Sequence, residues 1–411
     1  MSMRKKTTTP GWIRIKLGEY LKELSERHNT SSNSDTPVLS VTNRRGFVAS
    51  EEFFDKKVFS KDLSNYKVVH KGQFAYNPSR VNVGSISRLK EFDKGLLSPM
   101  YVVFEAMDGL DGLYLHYWIS SQRFRNLVKA STQGSVRDSL NFSALAEFPF
   151  VLPPEVEQRK IVSILACVDS VIDKTQAIID QTQTLKKGLT QELFTRGIPG
   201  RHKKFKKTKI GEIPEEWGVV KLKEIAKVFY GLGQPPSLDS KGVPMVRATN
   251  IKEGEIFTEN LIKIDEKLIP PSKNVYLKKD DILVVRSGAY TGDIGYVDKN
   301  IEGCIAGYDL IVRIGKYILA KYLVYYLLSP TIQEGYFKTC KSRSAQPHLN
   351  SNEVEMAKIP LAPVDEQKKI CNLLSEIEKY IRIEKHKINQ IINLKSALMQ
   401  VLLTGKVRVK V

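Results

Sequence analysis

The sequence predicts a mixed α+β fold that is built twice, as two globular α/β heads that are each followed by one long helix. Three observations predict it. The chain is similar to itself at a spacing of 205 to 209 residues, each copy ends in a stretch with heptad periodicity, and short strand-like segments bounded by turn residues fill the remainder. A chain of 411 residues buries sizeable cores, and its four scattered cysteines indicate neither a disulfide framework nor a zinc finger.

The repeat is clearest between residues 152–195 and residues 361–404, which are identical at 16 of 44 positions when they are aligned without gaps. Upstream the match is weaker, as between Trp12 and Trp217. The pattern predicts a tandem duplication with pseudo-two-fold symmetry. The predicted domains are head 1 (1–151), the first long helix with the start of a basic linker (152–199), head 2 (200–360) and the second long helix (361–411).

The matched segments are predicted to be helices of about 40 residues, because apolar side chains recur there at heptad spacing. Prolines precede both segments and acidic residues fill their first turns, as is typical of helix starts. We expect the two helices to pack on each other in antiparallel orientation; packing of each helix onto its own head is the alternative. The predicted helix–helix seam consists of Ile161, Leu165, Val168, Ile172, Ile179, Leu189, Leu193, Ile370, Leu374, Ile377, Ile381, Ile388, Ile391, Leu398 and Leu402.

Each head contains short segments rich in β-branched and aromatic residues, which predict strands. In head 1 these are PVLSVTNRRGFV, GQFAYNP, VNVGSISR and SPMYVVFE; in head 2 they are VPMVRATNI, DILVVRSGAY, IGYV and AGYDLIVRI. A helix is predicted late in each head, near residues 113–127 and 320–334.

The charge balance predicts a polyanionic partner. The chain has 64 Lys and Arg against 45 Asp and Glu, for a net charge of +19. The first residues lack the apolar core of a signal peptide, and no run of about 18 apolar residues occurs. We therefore expect a cytoplasmic protein that does not bind membranes.

The usual motifs of catalysis are missing from the sequence. It contains no phosphate-binding loop, no dinucleotide fingerprint, no G-x-S-x-G elbow and no H-E-x-x-H zinc motif. The stretch from Tyr76 to Ser79 only begins like an adenine methyltransferase loop, and Pro363, Asp365, Glu366 and Lys368 are better explained as a helix start than as a nuclease site. The sequence thus predicts a chain without catalytic residues, metal ligands or a cofactor of its own.

Basic and amide side chains cluster in the predicted loops between strands. Arginine suits bidentate contact to guanine, and asparagine or glutamine suits adenine. Many such residues contact phosphates or solvent instead, so only a part of them is expected to touch DNA. The candidate DNA-binding residues are Asn43, Arg44, Arg45, Arg80, Asn82, Arg88, Arg137, Arg247, Asn250, Arg286, Tyr290, Lys341, Arg343, Gln346 and His348.

Two different heads, each followed by a near-duplicate helix that opens with an E-Q-[KR]-K-I pattern, resemble the specificity (S) subunit of type I restriction–modification systems. The stretches that carry the resemblance include "LPPEVEQRKIVSIL", "LAPVDEQKKICNLL", "KIGEIPEEWGVVKLKEI" and "SRSAQPHLNSNEV", and it covers essentially the whole chain. The family varies in its heads, so no recognition residue is carried over by motif.

The resemblance implies that the heads are target recognition domains, each of which reads one half of a bipartite double-stranded DNA site. The helices would fix the spacer and dock two adenine-methyltransferase (modification) subunits, which would be joined by ATP-dependent restriction (translocase and nuclease) subunits. S-adenosylmethionine, ATP and Mg²⁺ would belong to those partners, and this chain would be non-catalytic.

Three other interpretations remain: a free-standing DNA-binding or architectural protein without enzyme partners, a single-chain enzyme, and a coiled-coil scaffold that binds proteins only. The net charge of +19 counts against the scaffold, and the missing motifs count against the enzyme. Apolar residues outside the seam count against the free-standing protein, because they predict a second packing surface. These are Val162, Val171, Ile178, Leu185, Tyr380, Ile383, Ile392 and Leu394.

Overall fold

The computed structural model describes residues 10–28, 36–43, 45–53, 59–60, 62–132, 139–233, 238–270, 274–342 and 347–410. The chain forms two compact units. Unit 1 comprises Met1–Gln176 and His386–Val411, and unit 2 comprises Ala177–Lys385. Each unit therefore combines one head with a part of each long helix, whereas the predicted domain limits divide the chain in sequence order.

Head 1 is built around an antiparallel sheet in the order β2-β9-β6-β7. Its strands are β1 (Ile13–Lys16), β2 (Leu21–Leu24), β3 (Leu39–Thr42), β4 (Gly46–Ala49), β5 (Lys67–His70), β6 (Phe74–Tyr76), β7 (Ile86–Arg88), β8 (Lys94–Leu97), β9 (Val102–Ala106) and β10 (Pro149–Leu152). Its helices are α1 (Ser50–Phe53), α2 (Gly112–Ile119), α3 (Gln122–Thr132) and α4 (Phe142–Ala146), and the long helix α5 (Glu155–Arg196) follows. Each predicted strand segment of head 1 contains at least one strand, but the first three residues of VNVGSISR, Val81–Val83, form a 3-10 turn instead.

The helix predicted near residues 113–127 is two helices, α2 and α3. The break lies at Ser120 and Ser121, whose hydroxyl groups donate to the carbonyl oxygens of His116 and Trp118. The Ser121 hydroxyl also accepts a hydrogen bond from the backbone N–H of Phe124, as an N-capping side chain does. Local side-chain hydrogen bonds thus compete with the helix that apolar periodicity predicts.

Head 2 is built around an antiparallel sheet in the order β14-β22-β19-β20. Its strands are β11 (Phe205–Thr208), β12 (Gly211–Pro214), β13 (Gly218–Lys221), β14 (Ala226–Tyr230), β15 (Leu238–Val246), β16 (Ile251–Lys252), β17 (Glu255–Ile256), β18 (Ile262–Ile264), β19 (Ile282–Val284), β20 (Ile294–Tyr296), β21 (Ile305–Ala306), β22 (Leu310–Ile314) and β23 (Lys358–Leu361). Its helices are α6 (Leu222–Ile225), α7 (Ala320–Leu327), α8 (Lys338–Lys341) and α9 (Ser351–Glu355), and the long helix α10 (Val364–Leu402) follows.

The helix predicted near residues 320–334 ends early. Helix α7 stops at Leu327, and a π-helical segment, Thr331–Phe337, follows. Pro330 stands between them, and a proline lacks the N–H that a continuous helix needs at that place.

The two heads have the same plan. Strand β1 pairs with β10 in head 1, and β13 pairs with β23 in head 2, so that each head is closed next to the start of a long helix. The four-stranded sheets correspond strand by strand: β2, β9, β6 and β7 match β14, β22, β19 and β20. The duplication inferred from the helices therefore extends to the fold of the heads.

Within unit 1, the first part of α5 lies antiparallel to the last part of α10. Ile161 and Leu165 of α5 share a buried core with Met399 and Leu402 of α10 and with head 1. The carboxylate of Asp169 in α5 forms an ion pair with Nζ of Lys395 in α10, at 2.5 Å. Within this unit each half-helix thus packs both on the other helix and on head 1. Head 1 is the own head of α5 but not of α10, so the alternative of packing onto its own head holds here for α5 alone.

Unit 2 repeats this arrangement with the remaining halves. Leu193 of α5 shares a buried core with Ile370 and Leu374 of α10 and with head 2. Lys186 of α5 binds Glu378 of α10 at 2.7 Å. A lysine that interrupts the apolar seam is therefore compensated by a carboxylate on the facing helix.

Every predicted seam residue is buried or half-buried. Of the predicted outer residues, Val162 is buried in the core of unit 1. The others are between 41% and 64% exposed: Val171, Ile178, Leu185, Tyr380, Ile383, Ile392 and Leu394. In the part of the chain that the structure describes, no helix is both long and apolar enough to cross a bilayer.

Candidate nucleic-acid interface

A buried glutamate at the start of each long helix fixes the adjoining head. Glu157 is 2% exposed and accepts hydrogen bonds from the indole N–H of Trp12 at 3.1 Å and from Nε of Arg408 at 2.8 Å. Glu366 is fully buried and accepts from the indole N–H of Trp217, also at 3.1 Å. These carboxylates join a head to its helix, a role that the first-turn position alone did not predict.

The next residue in each copy is a buried glutamine with one shared pattern. Gln158 Oε1 accepts from the backbone N–H of Asp111, and its amide donates to the carbonyl oxygens of Gly109 and Pro153. Gln367 repeats this, with the N–H of Leu319 and the carbonyl oxygens of Tyr317 and Ala362. The duplicated Glu-Gln pair thus fixes the orientation of a head on its helix.

Four candidate residues of head 1 lie on its surface. Asn43, Arg45, Arg80 and Asn82 are exposed. Asn43 lies close to Gly84, since a Cβ at that glycine would meet the Asn43 Cβ at 3.4 Å. The turn after β3 therefore lies against the turn before β7.

Three further candidate residues of head 1 are arginines. Arg88 is half-buried at the end of β7, and its Nε has no hydrogen-bond partner among the described residues. Arg44 and Arg137 lie outside the described residues.

In head 2, Arg247 and Asn250 hold a turn together. Asn250 is 3% exposed; its side chain accepts from the backbone N–H of Arg247 and donates to the carbonyl oxygen of Glu259. The guanidinium of Arg247 donates to the carbonyl oxygen of Asn260. The side-chain amide of Asn250 is therefore used in hydrogen bonds within the protein.

Tyr290, Lys341 and His348 lie near the loops that follow β19. Tyr290 is 49% exposed and His348 is exposed. Lys341 is half-buried against Gly292, and burial lowers the pKa of its ammonium group. Arg343 and Gln346 lie outside the described residues.

Arg286 follows β19 and lies between two tyrosines. Its guanidinium carbon is 5.0 Å from the ring centre of Tyr230 and 4.5 Å from that of Tyr308. The Tyr230 hydroxyl accepts from the backbone N–H and the hydroxyl of Ser351, and these hydrogen bonds lower the pKa of Tyr230. Because Tyr230 and Tyr308 are 41% and 49% exposed, the cluster is open to a ligand.

Asp309 lies beneath this cluster and is 3% exposed. Its carboxylate accepts from the backbone N–H of Arg286 at 3.1 Å. Burial raises the pKa of Asp309 to about 6, although the hydrogen bond and the charge of Arg286 act in the opposite direction.

The raised pKa predicts a pH-dependent cost in stability. Well below pH 4 the carboxyl group is protonated in both the folded and the unfolded state, whereas between about pH 4 and pH 6 it is mostly ionised in the unfolded state and mostly protonated in the folded state. The cost then grows to at most about 3 kcal/mol above the folded-state pKa. Asp309→Asn keeps the acceptor and cannot ionise. We expect the stability of this variant relative to the wild type to rise by about 1–3 kcal/mol from pH 4 to pH 8.

Urea unfolding of both proteins at several pH values measures this difference. Asp298→Asn is the matched control, because Asp298 is only half-buried and caps a turn through the N–H of Asn300. A stability difference that stays constant with pH for Asp309→Asn would contradict the prediction.

Unit 2 also contains a cavity of about 520 Å³ between head 2 and both long helices. A part of its polar wall is paired within the protein. Glu378 binds Lys186 at 2.7 Å and accepts from the Tyr325 hydroxyl at 2.8 Å, and burial raises the pKa of Tyr325. No group of three or more acidic, histidine or cysteine side chains suited to a metal ion occurs among the described residues.

Comparison with protein families gives a match along most of the chain. A family model described as the type I restriction modification DNA specificity domain matches residues 22–184 and again residues 214–393. Each match joins most of one head to a long helix, in agreement with the internal repeat.

Individual similar proteins are specificity subunits, in agreement with the family model. The chain is 29% identical over 418 residues to the type I restriction enzyme MjaVIII specificity subunit of Methanocaldococcus jannaschii, covering 97% of this chain and 93% of that protein. It is also 29% identical over 366 residues to the putative MjaX specificity subunit of the same organism, covering 85% of this chain and 81% of that protein.

Solved structures show the same fold. One, from a study of complex assembly and conformational transition of the type I R-M system, has a TM-score of 0.62 at 18% identity and covers 98% of this chain and 100% of its own. The S subunit from M. genitalium has a TM-score of 0.53 at 15% identity, covering 97% and 98%. With the family model matching both copies of the repeat, the chain belongs to the type I restriction–modification specificity subunits, and its function is DNA sequence recognition.

Proposed function

We propose that this chain is the non-catalytic recognition subunit of a type I restriction–modification complex, and that each head reads one half of a bipartite double-stranded DNA site. The observation that carries the proposal is the pair of heads with one plan and different surfaces. Both are fixed to a long helix by the same Trp–Glu contact, made by Trp12 with Glu157 and by Trp217 with Glu366. Two modules that are held alike but differ in exposed chemistry suit an asymmetric target in two parts.

The long helices set the spacer and dock two adenine-methyltransferase subunits. Support comes from exposed apolar side chains at equivalent places in the repeat. Val171 corresponds to Tyr380 and Leu185 to Leu394, and all four are between 41% and 64% exposed. Repeated exposed apolar positions suit two copies of one partner. S-adenosylmethionine, ATP and Mg²⁺ act in the modification and restriction subunits.

A pull-down of the tagged full chain from its host lysate tests the assembly, with mass spectrometry of the proteins that co-purify. We expect an adenine methyltransferase at about two copies per chain, together with an ATP-dependent restriction subunit. Tight binding to DNA with no protein partner would instead support a free-standing DNA-binding protein.

Exchange of head 1 tests the division of labour between the heads. Replacing residues 1–151 with the corresponding head of a relative is expected to change one half-site and to leave the other half-site and the spacer unchanged. Methylome sequencing of cells that express the chimaera with its modification subunits measures this. The reciprocal chimaera, which exchanges residues 200–360, is the control, and a change in both half-sites would contradict modular reading.

A further inference from the structure

Among the described residues of head 2, two arginines place their guanidinium on an aromatic ring at the central sheet, Arg286 and Arg313, and their contacts differ. Arg313 lies over Phe229 at 5.5 Å, and its guanidinium donates to Asp281, Asn274 and the carbonyl oxygen of Tyr276. The guanidinium of Arg313 is thus hydrogen-bonded within the protein. Arg313 thus shows what a structural arginine looks like in this head.

Arg286 has no comparable hydrogen bonds in the part of head 2 that the structure describes. Its guanidinium forms no hydrogen bond or ion pair with the described residues, and its Nε is buried without a partner. The rings of Tyr230 and Tyr308 cover the guanidinium, so it is held while its donors remain available. A guanidinium offers five N–H donors in a planar fork, which matches a ligand that presents two acceptors in one plane.

The backbone at Arg286 makes the same hydrogen bond as the equivalent backbone in head 1. The two heads therefore share the backbone at this place and differ in the side chain. The carbonyl oxygen of Arg286 accepts from the N–H of Leu349 at 2.8 Å, and the carbonyl oxygen of Pro78 in head 1 accepts from the N–H of Leu140 at 3.1 Å. Both positions lie two residues after the matching strands, β19 and β6.

The covering ring changes as well. Tyr308 stands two residues before β22, and Met100, which is 61% exposed, stands two residues before β9. Equivalent places in the two heads therefore carry an arginine with a tyrosine in one copy, and a proline with a methionine in the other. The fold that the two heads share therefore does not require an arginine or a tyrosine at these places.

We propose that Arg286 is a base-reading residue of head 2, and that it donates two hydrogen bonds to O6 and N7 of a guanine in the half-site of that head. Guanine presents these two acceptors in one plane in the major groove, and a fork of two N–H groups pairs with them. The proposal rests on the proposed function, since it assigns one position of the sequence that head 2 reads. A contact to a DNA phosphate is the alternative use of the same donors.

The experiment selects bound sequences from a random duplex library, using the full chain together with its modification subunits. The wild type and Arg286→Lys are compared, because lysine keeps the charge but lacks the planar fork. We expect discrimination at one G·C pair of one half-site to fall by roughly 5- to 150-fold, with every other position retained. Arg286→Ala, which is checked for folding by thermal melting, is expected to lose the same preference.

Matched variants separate reading from packing. Tyr308→Leu removes the ring and is expected to weaken the preference, whereas Tyr308→Phe keeps the ring and is expected to retain more of the preference than Tyr308→Leu does. Arg313→Lys, at the internally bonded arginine, is expected to leave the base preference unchanged.

Other outcomes would overturn the inference. A uniform loss of affinity in Arg286→Ala that Arg286→Lys restores, with all preferences kept, would identify a phosphate contact. An unchanged preference in both Arg286 variants would show that the residue does not read DNA. A wild-type complex without any sequence preference would contradict the proposed function itself, and would remove the basis of the inference with it.

Discussion

Replacing Glu366 with alanine is expected to lower the free energy of unfolding of unit 2 by about 3–5 kcal/mol, as measured for broken buried ion pairs. The carboxylate is fully buried and accepts from the Trp217 indole at 3.1 Å, from Nε2 of His202 at 2.8 Å and from the backbone N–H of Ile198 at 3.0 Å. Arg201 adds a charged contact at 3.4 Å. Alanine leaves these donors without an acceptor, and each buried unpaired donor costs about 1–3 kcal/mol.

Urea unfolding of the full chain measures the loss, and hydrogen exchange of peptides from residues 177–385 assigns it to unit 2. Glu376→Ala is the matched control on the same helix. Glu376 is 74% exposed and contacts Lys379 at 3.9 Å, so its removal is expected to change stability by less than about 0.5 kcal/mol. Equal effects of the two substitutions would contradict the assignment of Glu366 as the anchor of head 2.

The importance of Glu157 and Glu366 was visible in the sequence only in part. The heptad pattern and the acidic first turns predict the long helices, because both features are local. They do not distinguish Glu155, which is exposed, from Glu157, which is buried. The repeat held the missing signal, since Glu157, Gln158 and Trp12 all recur in the second copy, and a repeated tryptophan offers an indole N–H that needs a buried acceptor.

The candidate interface was harder to predict, because its geometry depends on distant residues. Asn250 and Arg286 stand at similar places, each shortly after a strand of head 2. Asn250 is enclosed by its own turn, whereas Arg286 is covered by Tyr230 and Tyr308, which are far from it in the chain. The residue type shows whether a side chain could read a base. Tertiary contacts decide whether that side chain faces solvent or is bonded within the protein.

Lengthening both long helices by one turn is expected to change the spacer of the recognised DNA and to leave both half-sites unchanged. The insertion points are the limits of the units, after Gln176 in α5 and after Lys385 in α10. Four residues placed there leave the contacts inside each unit intact. At ~1.5 Å per residue they add about 6 Å, which corresponds to about one to two base pairs at ~3.4 Å each. Binding to the original site is expected to fall by at least about 100-fold, since only one half-site is then matched and each lost base pair costs about 1–3 kcal/mol.

Methylome sequencing of cells that express the lengthened chain with its modification subunits measures both the half-sites and the spacer. Inserting the same four residues in α5 alone is the control. That change lengthens α5 between the two units but leaves α10 at its native length, so the two antiparallel helices can no longer both keep their native contacts. It is expected to lower stability and to give no new site. A doubly lengthened chain that still methylates the original site would show that the helices do not set the spacer, and the spacing would then have to be determined by the heads or by the modification subunits.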